Sequence, residues 1–190
     1  MNTLNPDITL RQREIIVGTV LGGSSIVRPG DGKNCYLSMR DRDTYWLEYK
    51  AVSLKELASD APYTLPKRGS TFRWHSLCYP LFNEYHKMFY KNGERRLTSA
   101  VLDPLRDWGL AVWFIDCGKY VGNKVVLNTN IWGKKGTKIV VDYFRSLGYN
   151  VEVKLDRKGF RVWLDQEASL HFLEIVVAPL PIFVKKICGE

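Results

Sequence analysis

The 190-residue chain has four cysteines, Cys35, Cys78, Cys117 and Cys188, and no two of them make a C-x-x-C pair. That spacing excludes the usual structural zinc sites. Thiols scattered this way are expected to stay free, as in a reducing compartment. Long apolar runs are missing too. None reaches the ~20 residues that a membrane span needs, so no membrane partner is expected. The opening residues MNTLNPDITLRQRE lack the apolar core of a secretory signal and the Arg/Ser-rich character of a transit peptide. The expectation is an intracellular protein, and one that worked in a mitochondrion or chloroplast would be encoded there. Acidic residues are also in deficit: 20 Asp and Glu face 28 Lys and Arg, for a formal net charge of +8. A pI near 9.3 makes a polyanion the leading partner. A hydrophobic content of 45% with 13% aromatics excludes a disordered basic tail.

Two apolar stretches organise what is there. The first is IVGTVLGGS, from Ile16 to Ser24; the second is LAVWFIDCG, from Leu110 to Gly118. Each has a small residue near its start, Gly18 or Ala111, and glycine at or near its end. A small residue lets a second backbone approach, and glycine stops the helix. The two stretches begin 94 positions apart in 190 residues, which suggests an internal duplication.

Between them the chain alternates helix and strand signals. Thr9 is placed to cap a helix running from about Arg11 to Gly22-Gly23. Strands follow at 24–28 and 33–40, around the turn Pro29-Gly30-Asp31-Gly32. A helix is expected at 44–57, strands at 63–65 and 70–77, and an aromatic helix at Pro80–Tyr90. After a connector, the order repeats. A helix at 108–116 leads to strands near Tyr120 and at 125–129. A helix at 137–147, strands at 151–155 and 160–164, and a helix at 166–177 complete the second half.

The second stretch resembles the signature helix of LAGLIDADG homing endonucleases, in the single-chain branch that carries two motifs. Val125-Val126-Leu127-Asn128-Thr129-Asn130 resembles the strand that follows the second motif there, and Leu180-Pro181-Ile182-Phe183-Val184-Lys185 resembles the closing tail. The resemblance implies a mixed α+β fold, a pseudo-twofold duplication of an αββαββα unit. Residues 1–92 and 108–190 would be the halves and 93–107 the connector. Two antiparallel sheets would form a saddle over nucleic acid, in a monomer with internal pseudo-symmetry.

Basic residues fall on the expected strands and hairpin tips. The first half supplies Arg28, Lys33, Arg40, Arg42, Lys67, Arg68, Arg73 and His75; the second supplies Lys119, Lys124, Lys134, Lys135, Lys154, Arg157, Lys158 and Arg161. Such cations neutralise phosphates. Alternate side chains, Tyr36, Ser38, Arg40, Arg73, His75, Asn128 and Asn130 among them, would reach bases. RNA and DNA are both open as ligands.

In active members of that family, an acid near the end of each signature helix holds divalent metal. Aligned on the motifs, those positions fall on Gly23 and Cys117. Glycine offers no ligand and a thiol is a poor match for magnesium. Asp116 is the residual candidate acid, one residue earlier and roughly 100° around the helix. Arg95 or Arg96, and Lys185 or Lys186, stand where the family places cations near the scissile phosphates. The reading is therefore a nucleic-acid-binding scaffold that has lost cleavage and needs no cofactor, maturase-like or part of a ribonucleoprotein. The alternatives are an active, magnesium-dependent DNA endonuclease using Asp116, and a structural protein of a ribonucleoprotein particle whose helix Pro80–Tyr90 docks a protein neighbour.

Overall fold

A computed structural model describes residues 4–30, 34–58, 71–157 and 159–183. Helix α1 spans Leu10–Leu21. Its start is set by a reciprocal cap. The Thr9 hydroxyl accepts from the Gln12 amide, and the Gln12 side chain accepts from the Thr9 amide. Strands β1 (Ser25–Val27) and β2 (Tyr36–Asp41) follow, then α2 (Thr44–Ser53), capped by the Asp43 carboxylate on the Trp46 amide at 3.1 Å. Strand β3 (Phe72–His75) completes an antiparallel sheet in the order β1-β2-β3. The expected strand at 63–65 lies outside the described residues.

Helix α3 (Pro80–Phe89) opens on a proline, whose fixed φ suits the first helical position. Its next amide, on Leu81, donates to the Asn5 side chain at 2.6 Å, so the N-terminal arm caps it from afar. The expected connector has structure of its own. Strands β4 (Tyr90–Lys91) and β5 (Glu94–Arg95) form a hairpin, and α4 (Ser99–Leu102) follows. Asn92 and Gly93 both adopt positive φ there, as a tight two-residue hairpin turn requires.

Helix α5 (Asp107–Cys117) runs into β6 (Gly118–Val121), and then come β7 (Lys124–Asn128), α6 (Gly133–Ser146), β8 (Val151–Asp156), β9 (Gly159–Leu164) and α7 (Gln166–Val177). The second sheet is fully antiparallel in the order β6-β7-β9-β8.

Two boundaries differ from expectation. Helix α2 stops at Ser53 and gives way to a tighter 3-10 turn at Lys55–Leu57. The Ser53 hydroxyl donates to the Tyr49 carbonyl at 2.8 Å, a local bond that competes with helix continuation. Helix α6 begins four residues before Thr137. That residue lies inside it, bonding back to the Gly133 carbonyl at 2.8 Å.

One core joins both halves, and α1 and α5 are its centre. Residues Ile15–Leu21 and Gly109–Ile115 are buried along their whole length. A helix that is apolar all round belongs inside. Trp113 and Phe114 of α5 share this core with Trp46, Trp74, Phe82, Phe144 and Phe172. Both sheets keep one face on this core and turn the other outward.

Candidate nucleic-acid interface

The seam between α1 and α5 admits no side chain at its tightest point. A Cβ on Gly18 would strike the Gly109 carbonyl, so Gly18 needs the smallest neighbour across the helix pair. The sequence reading picked out Gly18 and Ala111; the partner in closest contact is Gly109. Above it, the Gly109 amide donates to Glu14 of α1 at 3.1 Å, and the Arg11 guanidinium lies 3.8 Å from the Trp108 ring centroid.

At the other end the seam brings the two motif termini together. A Cβ on Gly22 would strike the Asp116 side chain, so the residues just before the aligned acid positions touch across the helices. Gly23 has φ +124°, a backbone that side chains rarely adopt, and open space around it. The Cys117 thiol is pushed up to about 12 by burial, reinforced by the neighbouring Asp116 charge. It stays protonated at neutral pH and is no ligand for a hard cation.

Asp116 is not open to solvent either. Its Oδ1 accepts from Lys50 Nζ at 2.7 Å and from Trp46 Nε1 at 2.5 Å, and its Oδ2 lies 3.0 Å from the same ammonium. Lys50 is only 1% exposed. Burial raises the Asp116 carboxyl above its ordinary range, while Lys50 and Trp46 pull it back. The residual candidate acid is thus a core carboxylate tying α5 to α2. The donors at the seam do not fit a divalent ion: one residue has no side chain, one is a protonated thiol, and one is held by an ammonium. Among the described residues no group of three or more His, Cys, Asp or Glu is placed to hold a metal.

Arg95 is drawn into the same region. Its Nη2 donates to the Gly23 and Ser24 carbonyls at 3.2 and 2.8 Å and to the Ser25 hydroxyl at 2.8 Å. It closes the end of the first motif rather than projecting outward. Arg96 is exposed and donates to the Lys87 carbonyl at 2.9 Å.

The strand register decides which cations share the outer faces. On the first sheet, Leu37, Met39 and Trp74 point into the core. Tyr36, Ser38, Arg40, Arg73 and His75 therefore face out. Arg40 stands directly opposite Arg73, and Ser38 opposite His75. Neither arginine has an acidic partner among the described residues. Tyr36 meets His75 edge-on at 5.5 Å between ring centroids. Burial and then the Arg73 charge hold His75 below its ordinary 6.5, so its imidazole is neutral at pH 7. Arg28 is exposed just after β1, and Arg42 between β2 and α2.

On the second sheet, Lys119, Lys124, Asn128, Lys154 and Arg161 share the outer face with Val126 and Trp163. Two acids that the sequence reading passed over stand among them. Glu152 lies 3.5 Å from Lys154, and Asp156 lies 3.1 Å from Arg161. Period-two counting in both directions from Lys154 would have found both, and counting forward from Arg161 would have found Trp163. Arg157 is exposed at the β8–β9 hairpin tip. Lys134 and Lys135 are not on a strand: they occupy the first turn of α6. Lys33, Lys67, Arg68, Lys158, Lys185 and Lys186 lie outside the described residues. A groove of about 620 Å³ lies among α1, α3 and α4, lined by residues such as Val17, Leu81, Met88 and Leu105, and includes none of these outward-facing cations.

The architecture and the sequence agree with known proteins. Residues 13–172 match the model of the LAGLIDADG DNA endonuclease family. The chain belongs to that family. Within it, the chain is 25% identical over 195 residues to the cytochrome b mRNA maturase bI2 of Debaryomyces hansenii, an alignment covering 96% of this chain and 71% of the relative. The homing endonuclease I-WcaI, solved bound to its DNA recognition sequence, shares the fold with a TM-score of 0.84 at 17% identity, over 99% of this chain and 89% of that one. I-DmoI, solved with DNA and Mn, follows at a TM-score of 0.60 and 10% identity, over 88% of this chain and 97% of that one. In this LAGLIDADG chain the paired-helix seam ends on Gly22-Gly23 of one motif and Asp116-Cys117 of the other.

Proposed function

We propose that the chain is a LAGLIDADG-derived nucleic-acid-binding protein that grips its ligand with the outer sheet faces and no longer cuts it. The observation that carries this reading is Arg40 facing Arg73 across β2 and β3, with no acidic partner for either among the described residues. Like charges directly opposite in a sheet destabilise it by roughly 0.2–1 kcal/mol. A bound phosphate removes that repulsion. Exposed Lys119 and half-buried Lys124, on the same face of the second sheet, extend the cationic track.

Loss of cutting is supported by the seam. Metal-assisted phosphodiester hydrolysis needs oxygen ligands that hold the ion between attacking and leaving oxygens. Gly23, the Cys117 thiol and the Lys50-bound Asp116 do not supply them. In this reading residues 1–92 and 108–190 are the duplicated halves and 93–107 joins them. A relative named as an mRNA maturase supports RNA as the ligand and an organellar setting. Ultraviolet crosslinking in the native host, followed by sequencing of the recovered strand, tests the proposal. Recovery of a defined transcript or DNA site is the expected result, and no enrichment over a control protein of the same charge would refute it.

A further inference from the structure

The outer face of the four-stranded sheet does not repeat the chemistry of the three-stranded one. Its cations are partly neutralised in place, Lys154 by Glu152 and Arg161 by Asp156. Those carboxylates would repel a phosphate chain laid along this sheet. At the same spot the face turns aromatic. Trp163 lies on the inner strand β9, its register partners are Val126 and Glu152, and Val126 is 6% exposed although it points outward. The Lys154 ammonium sits 4.5 Å from the Trp163 ring centroid. The indole Nε1–H is covered and has no hydrogen-bond partner among the described residues. A buried indole donor normally finds one. An apolar ring, an unanswered donor and a half-exposed lysine over the ring are the makings of a stacking site closed by its own side chain.

We infer that Trp163 is a stacking platform for an unpaired nucleobase, and that Lys154 leaves the ring to meet the phosphate of the nucleotide that replaces it. This rests on the nucleic-acid reading above and narrows it to ligands with a single-stranded segment. In a duplex the faces of each base are already covered by its neighbours. Only an unpaired base offers a free face to an indole. The cationic first sheet, with Lys119 and Lys124, tracks backbone, while the β8–β9 side of the second sheet holds a base.

The test uses the full chain and three labelled probes: a 12-nucleotide single-stranded RNA without self-complementarity, the same sequence as DNA, and a 20-base-pair duplex. Binding is followed by fluorescence anisotropy for the wild type, Trp163→Leu and Trp163→Phe. Trp163→Leu is expected to weaken single-strand binding roughly 5- to 150-fold and to leave duplex binding within about twofold. Trp163→Phe, which still stacks, retains most of the single-strand affinity. A loss on RNA and DNA alike means that the base alone is read; a loss on RNA only adds the ribose. Equal losses on all three probes, no loss on either single strand, or a Phe variant as weak as the Leu variant would overturn the inference. A wild-type chain that binds none of the probes refutes the broader reading instead.

Discussion

Replacing Asp116 by Asn separates a structural carboxylate from a catalytic one. The wild-type carboxylate contacts Lys50 Nζ at 2.7 and 3.0 Å, and Lys50 is 1% exposed. Asparagine keeps the shape and a contact to Trp46 but leaves the ammonium without a countercharge. Removing one partner of a buried pair costs about 3–5 kcal/mol. For a chain of this size each kcal/mol moves the melting midpoint by roughly 2–4 °C, so Asp116→Asn should melt about 6–20 °C lower. The double variant Lys50→Met with Asp116→Leu removes both charges from a core flanked by Trp46 and Phe183, and should return close to the wild-type midpoint. Scanning calorimetry of the wild type, Asp116→Asn and the double variant measures this directly. Folded Asp116→Asn protein should bind nucleic acid as the wild type does, with or without magnesium. An Asp116→Asn midpoint within 1 °C of wild type, or a magnesium-dependent activity lost with the carboxylate, would refute the assignment.

Three further outcomes follow. Arg73→Gln relieves the repulsion with Arg40, so the free protein should gain up to about 1 kcal/mol in stability while binding weakens and the salt slope drops by about one; a loss of stability by denaturant titration would contradict this. His75 has a depressed pKa, so the stability it contributes is present above pH 6.5 and is lost as pH falls through the lowered value. Bound phosphate favours the imidazolium instead, so affinity should rise as pH drops from about 7.5 to 5.5 and flatten in His75→Gln, as measured by anisotropy. Cys117→Asp alone should gain no manganese-dependent cutting, because Gly23 brings no second carboxylate and holds φ at +124°; cut DNA in a gel assay would show that one acid suffices.

The helices were legible in the sequence because their signals are local. Thr9 and Pro80 mark starts within a residue or two, and the apolar runs at Ile16 and Leu110 give the central pair. The interior of α6 was misjudged at Thr137, a residue that caps helices in isolation but here bonds backward within one. The Asp116–Lys50 pair was invisible because its members are 66 positions apart and meet only once α2 packs against the end of α5. Arg95 was expected as a cation ahead of the second motif; it turns instead to the end of the first, onto three acceptors at residues 23–25 that only the fold brings within reach. The outer-face cations were read from strand alternation, which succeeded for Arg40, Arg73, Lys154 and Arg161. The same alternation puts Glu152 and Asp156 on that face as well, but a reading that followed only the cations passed over them.

The central claim is that a polyanion-gripping surface persists where cutting does not, and a salt titration in magnesium tests it most directly. Duplex DNA bound through Arg40, Arg73, Lys119 and Lys124 should show log affinity falling linearly with log salt, at a slope of about −3 to −4. The DNA recovered from every point should be intact. Affinity indifferent to salt, or cleaved DNA in the same tubes, would contradict the account.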